Sequence, residues 1–103
     1  MTNISIHIQK TNGHAAPGKL ADAEIHFNGG ELDGLKLVGF AVWRSRDGHG
    51  EDVTFPSRQF VANGERRTFP LLRWVADRLA QERLAALVKR AYSEQLEDFR
   101  VLA

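Results

Sequence analysis

The chain has 103 residues, of which 14 are Lys or Arg and 13 are Asp or Glu, so its formal charge is +1; 43% are hydrophobic and none is Cys. A chain of this size buries only about 60–68% of its unfolded surface and cannot supply two independent cores. We therefore expect residues 1–103 to form a single domain. The absence of Cys excludes disulfides, thiolate metal sites and a Cys nucleophile, and it fits a cytoplasmic protein. No apolar run approaches the roughly 20 residues of a membrane-spanning helix, so we expect neither export nor a membrane location.

Alternating apolar and polar residues predict two strands in the first part of the chain. Apolar residues recur at every second position over 4–8 and again over 21–27, which is the pattern of half-buried strands. Between them, residues 11–18 include Gly, Asn and Pro, which favour a reversal of the chain. We therefore expect two strands joined by a loop.

A longer apolar run over 35–44 predicts a central strand. Its residues are apolar on both faces, and the alternation places Leu37 on the same face as Ala41. The polar, glycine-rich residues 45–50 then return the chain into a further strand over 51–55, and a hairpin is the simplest arrangement.

A second hairpin is predicted further along the chain. Pro56 has no N–H to donate to a sheet, so we expect the strand to be interrupted there or to lie on a sheet edge. The Asn63-Gly64 pair suits a tight turn between strands over 59–61 and 65–73. These segments bring the number of predicted strands to five or six.

The spacing of apolar residues changes to about three to five over 77–98, where Gly and Pro are absent. This spacing predicts one amphipathic helix. Asp77 is the expected N-cap, because its carboxylate can accept hydrogen bonds from the free N–H groups of the first turn. The expected fold class is therefore α+β, with an antiparallel β-sheet of five or six strands and one C-terminal amphipathic helix.

The charged residues are distributed unevenly along the chain. Residues 36–73 carry a net charge of +3, whereas 1–35 carry −2 and 74–103 are neutral. Arginine supplies most of the central positive charge, and its planar guanidinium suits phosphates and base edges. Aromatic residues are interleaved with these arginines, so the two together could stack bases and neutralise phosphates. The candidate nucleic-acid-binding residues are Arg44, Arg46, Arg58, Arg66 and Arg67.

The alternation of arginines with aromatic residues also has a simpler interpretation. On a half-exposed sheet, charged side chains face solvent and aromatic side chains face the core, whether or not a ligand exists. Under that interpretation most of the aromatic residues Phe55, Phe60, Phe69 and Trp74 are core residues.

Sequence motifs for enzyme chemistry are missing. There is no complete Gly-x-x-x-x-Gly-Lys-Ser/Thr or Gly-x-Gly-x-x-Gly phosphate loop, and Ser57 lacks the Gly-x-Ser-x-Gly elbow of a nucleophile. His7 and His26 could meet on neighbouring strands, but Asp22 or Glu24 would have to supply a third zinc ligand. We predict that the protein is not an enzyme and that it uses no cofactor and no metal.

Several short motifs resemble those of one protein family. The relevant residues are Phe55-Pro56-Ser57-Arg58, then Asn63-Gly64-Glu65 and Arg67, then a helix with Val88 and Tyr92. Residues 19–25 also look like the second strand of that family, and 37–43 like its third. From Ile4 to Tyr92 the chain resembles the stage V sporulation protein G (SpoVG) family.

The resemblance implies a small fold of β-sheet and helix, and dimers in which sheets associate across subunits. It also implies binding of DNA or RNA to regulate gene expression, and proteins of the family have been linked to sporulation and septation. Our leading hypothesis is therefore a non-enzymatic regulator that binds DNA or RNA as a homodimer.

A second hypothesis is a protein–protein interaction module that binds its partner through a sheet edge or an apolar helix face. Leu71, Leu72, Trp74 and Val75 form an apolar cluster larger than one small core is expected to cover. In that case the basic residues would be incidental to function.

Overall fold

The computed structural model describes the backbone of residues 3–11 and 16–102, and the side chains of these residues up to Gln95. The described part contains six β-strands and one C-terminal α-helix, so the predicted α+β class is confirmed. Residues 12–15 of the predicted first loop, including His14, lie outside the described residues. Within the described ranges, no helix is long and apolar enough to cross a membrane.

The strands form two separate antiparallel sheets. They are β1 (Ile4–Lys10), β2 (Lys19–Phe27), β3 (Lys36–Arg44), β4 (Glu51–Thr54), β5 (Ser57–Ala62) and β6 (Glu65–Pro70). A 3-10 helix at Gly30–Leu32 lies between β2 and β3, and α1 spans Ala80–Leu102. The first four strands form one sheet in the order β1-β2-β3-β4, and β5 and β6 form a two-stranded hairpin.

The chain leaves the four-stranded sheet at Pro56. β4 ends at Thr54, and Pro56 is buried and has no N–H with which to continue a ladder. The N–H of Leu71 donates to the Pro56 carbonyl at 3.0 Å and closes the base of the β5–β6 hairpin. The predicted interruption is thus confirmed, but the expectation of one sheet of five or six strands is wrong, because the strands divide into four and two.

The core lies between α1 and the inner face of the four-stranded sheet. Phe40 is fully buried there, and Phe55 packs against it edge to face, with ring centroids 5.4 Å apart. Alternate residues of β2 face the same side, which confirms the predicted buried face of that strand. The core also contains Ala21, Ala23, Ile25, Val42, Val88 and Tyr92.

A β-bulge at Gly39 changes the faces of β3. Between the pairs Ala23–Phe40 and Ile25–Leu37, β2 advances by two residues and β3 by three. Leu37 therefore packs against the core on the same side as Phe40, and the prediction that placed it on the other face is wrong. Gly39 has a φ of +109°, and a Gly inside a strand pattern is the sequence signal for such a bulge.

Replacing Gly39 with alanine should destabilise the fold by about 1–3 kcal/mol. An L side chain is strained at its positive φ, and a Cβ there would lie 3.2 Å from the Cβ of Pro56. Urea unfolding followed by far-UV circular dichroism measures the loss. Gly18→Ala is the matched control, since φ at Gly18 is +84° but its Cβ would have no heavy atom within 4 Å. Equal losses in the two variants would contradict a role for the contact with Pro56.

β6 ends at Pro70, three residues before the predicted end at Arg73. Its partner β5 begins at the residue that faces Pro70, so no strand remains to pair with the following residues. We call residues 71–79 the apolar connector, because this segment joins the hairpin to α1 and exposes large apolar side chains. Trp74 is 48% exposed and Val75 is 94% exposed.

The start of α1 is organised by Asp77. The Asp77 carboxylate accepts a hydrogen bond from the N–H of Leu79 at 2.9 Å, and its carbonyl accepts one from Ala80 in a tight turn. Arg83 donates to the same carboxylate at 2.8 Å, and this bond, together with that from Leu79, lowers the pKa of Asp77. Asp77 therefore caps the turn at residues 77–80, and the prediction that it is the N-cap of the helix is wrong, because α1 begins three residues later, at Ala80.

Candidate nucleic-acid interface

The β5–β6 hairpin projects from the rest of the molecule. Each of its residues is exposed except Ala62, which is half-buried. Asn63 and Gly64 connect the strands with φ values of 53° and 78°, the left-handed conformations that a two-residue hairpin turn favours. The predicted turn is thus confirmed, and both faces of the hairpin are open to solvent.

The register of the hairpin places aromatic and cationic side chains together. Arg58 pairs with Phe69, and Phe60 pairs with Arg67, so all four lie on one side of the ribbon. Phe60 is 38% exposed and Phe69 is 47% exposed. We call this surface the Arg/Phe face; Arg58, Phe60 and Phe69 line a shallow cavity on it of about 330 Å³.

Arg73 extends the Arg/Phe face from the segment that follows β6. Its guanidinium carbon lies 4.3 Å from the centroid of the Phe69 ring, a cation–π contact. Its Nε also donates to the carbonyl of Pro70 at 3.2 Å, which holds the guanidinium beside the ring. The sequence prediction did not include Arg73 among the candidates, because it continued the strand to Arg73, and in an extended strand residues 69 and 73 lie too far apart for this contact.

Arg66 and Arg67 are neighbours in sequence but lie on opposite faces of the hairpin. Arg66 pairs with Val61 on the side away from the Arg/Phe face. The Arg67 guanidinium lies 3.6 Å from the Glu65 carboxylate, and both side chains are exposed. An exposed pair of this length is weak, so Arg67 can exchange Glu65 for a phosphate at little cost.

Arg44 and Arg46 lie elsewhere, at the β3–β4 turn. Arg44 faces Glu51 in the strand register, and residues 36–56 contain as many acidic as basic side chains. Residues 57–73, by contrast, carry a net charge of +3. The positive excess of the central region therefore lies on the hairpin and the residue that flanks it. Arg44 and Arg46 are not part of the Arg/Phe face.

The aromatic residues divide between the core and the surface. The core interpretation is right for Phe55, which packs against the buried cluster. It is wrong for Phe60, Phe69 and Trp74, which are exposed. The reason is that the chain leaves the four-stranded sheet at Pro56, so these three side chains do not face the core.

Polar side chains also gather on the outer face of the four-stranded sheet. His7 and His26 stack with ring centroids 3.7 Å apart, so the predicted meeting of these residues is confirmed. His26 donates to the Glu24 carboxylate at 2.8 Å, and this bond, with a weaker one from Lys36, lowers the pKa of Glu24. Across the described part of the chain, no group of three or more His, Asp or Glu side chains could hold a metal ion.

Comparison of the chain with protein-family models, with curated proteins and with solved structures finds no match. The resemblance to the SpoVG family therefore stays a prediction.

Proposed function

We propose that the protein binds DNA or RNA through the Arg/Phe face and regulates gene expression without catalysing a reaction. The observation that carries the proposal is the alternation of exposed Phe60 and Phe69 with Arg58 and Arg67 on one open surface. Exposed aromatic rings stack on bases, and guanidinium groups bind phosphates. The resemblance to the SpoVG family favours the same class of ligand.

The active form in this proposal is a homodimer. The resemblance to the SpoVG family implies dimers, and the apolar connector exposes large apolar side chains, among them Trp74 at 48% and Val75 at 94%. These apolar side chains are the surface that a second copy would cover, since a contiguous exposed apolar patch marks an interaction site. Sedimentation equilibrium tests this, and the mass of a single chain would contradict the dimer without contradicting nucleic-acid binding.

Salt dependence tests the proposed binding directly. With about four phosphates contacted per dimer, the affinity for a labelled oligonucleotide should fall roughly 50- to 150-fold between about 50 and 200 mM salt. The physical reason is that each neutralised phosphate releases condensed counterions, which higher salt opposes. Fluorescence anisotropy at increasing salt gives the slope. An affinity that does not change with salt, or no binding to single-stranded or duplex probes, would contradict the proposal.

A second candidate function is binding of another protein at the edge of the sheet. In the described part of the chain β1 pairs with β2 alone, so the other side of its backbone is available to an extended peptide, except at the Ile8 carbonyl, which accepts a hydrogen bond from Gln95 at 3.1 Å. Ile4 and Ile6 also line a groove of about 310 Å³ with Leu87 and Ala91 of α1. A protein partner that stays bound after nuclease treatment and in high salt would favour this function, whereas recovery of nucleic acid alone would favour the first.

A further inference from the structure

We infer that the Arg/Phe face binds single-stranded nucleic acid, with one base stacked on Phe60 and another on Phe69; this inference rests on the proposed function. Phe60 pairs with Arg67, and Phe69 lies two residues further along β6, so the two aromatic residues are diagonal neighbours. Diagonal neighbours in an antiparallel pair lie about 7–8 Å apart. The ligand must therefore offer two base faces at about this separation.

A duplex does not offer base faces at that separation. Successive bases in a duplex are stacked about 3.4 Å apart, and their faces are covered by one another. The grooves expose base edges, on which the thymine methyl group is the main apolar contact. A single strand can open its stack and place one base on each ring, because every base has an aromatic face.

The surroundings of the two rings fit nucleotides. Arg58, Phe60 and Phe69 line the cavity of about 330 Å³, which is open to solvent. The Arg73 guanidinium lies over one face of the Phe69 ring, so a base at Phe69 stacks on the opposite face of the ring or on the guanidinium plane itself. The backbone phosphates of a bound strand would then pass the guanidinium groups at the edges of the face.

The charge of the hairpin fits the same ligand. Glu65 is the one acidic residue within 57–73, and it lies at the turn, at the far end of the hairpin from Arg58 and Phe69. The cavity is thus free of carboxylates that would repel a phosphate. A two-stranded ribbon can also enter the major groove of a duplex, and the experiment must separate that mode from single-strand binding.

Three labelled probes of equal length test the inference by fluorescence anisotropy. They are a single-stranded DNA of mixed sequence, its duplex, and an abasic strand that keeps the phosphates but lacks the bases. We expect the single strand to bind at least about tenfold more tightly than the other two, since only it can stack on the rings. Phe60→Ala and Phe69→Ala should each weaken single-strand binding by about 5- to 150-fold and leave abasic binding unchanged.

Two further variants separate the loss of a ring from damage to the hairpin. Phe60→Tyr keeps a stacking ring and should keep most of the single-strand affinity. Val61→Ala changes an exposed side chain on the opposite face of the same strand and should also have little effect. Far-UV circular dichroism of each variant checks that the fold is retained.

The outcomes distinguish this inference from the proposed function. Equal affinity for the duplex or the abasic strand, or alanine variants that bind like the wild type, would overturn the single-strand inference and leave nucleic-acid binding in place. Failure of all three probes, and of a single-stranded RNA of the same sequence, to bind would overturn both.

Discussion

Replacing Phe40 with alanine should lower the free energy of unfolding by about 3–5 kcal/mol. Phe40 is 1% exposed and is one of the largest side chains that the fold buries completely. Its ring contacts Phe55 edge to face and belongs to the cluster that contains Val88 of α1, so its removal leaves a cavity between sheet and helix. Because small domains have a total stability of about 5–15 kcal/mol, this loss is a large fraction of the whole.

Urea titration followed by far-UV circular dichroism measures this change. Val38→Ala is the matched control, since Val38 lies on the same strand but is 54% exposed, and its variant should stay within about 0.5 kcal/mol of the wild type. A loss below about 1.5 kcal/mol for Phe40→Ala would contradict the position of Phe40 at the centre of the core.

Periodicity predicted the strands better than it predicted their faces. In β2 it was sufficient, because Ala21, Ala23 and Ile25 all face α1 and the residues between them are polar. In β3 both faces are apolar, so the pattern does not define the buried one. The bulge at Gly39 then shifts Leu37 to the core side, since a shift of one residue moves each side chain to the other face.

The division into two sheets could not be predicted from local sequence. Pro56 indicates an interruption, but a proline does not specify whether the next strand rejoins the same sheet. That outcome depends on tertiary contacts, here the packing of Pro56 against Gly39 and the hydrogen bond from Leu71 to the Pro56 carbonyl. Neither contact leaves a periodic signal in the sequence.

Part of the Arg/Phe face could be predicted from the sequence. The two-residue turn at Asn63-Gly64 fixes the hairpin register, and counting outward from it places Arg58 opposite Phe69. The exposure of these side chains could not be predicted, because a core-facing strand has the same alternation. It depends on the departure of the hairpin from the four-stranded sheet.

Replacing Arg58 and Arg67 together with alanine should weaken nucleic-acid binding by about 10- to 100-fold for each Arg/Phe face that contacts the ligand, at about 0.1 M salt. The change removes two cations from each Arg/Phe face, and each lost phosphate contact should reduce the magnitude of the salt slope by about one. Both side chains are exposed, so the fold should be retained. Anisotropy titrations of the wild type and the variant over the same range of salt measure affinity and slope together.

Two control variants remove the same charge from other surfaces. Arg44→Ala with Arg46→Ala changes the β3–β4 turn, and Lys89→Ala with Arg90→Ala changes an exposed side of α1. Each should alter the affinity less than about threefold, because salt screens exposed charges that lie beyond about 8–10 Å from the ligand.

The pattern of losses locates the contact. A loss confined to the Arg58 and Arg67 variant would support the hairpin as the binding surface. An equal loss in the Arg44 and Arg46 variant would mean that the arginines of the hairpin and those of the β3–β4 turn bind the same ligand. Because the two pairs lie on different elements, the nucleic acid would have to span both, or a second copy of the chain would have to bring them together. An equal loss in all three variants would mean that the affinity depends only on the net charge of the protein. That result would contradict the Arg/Phe face as a specific binding site.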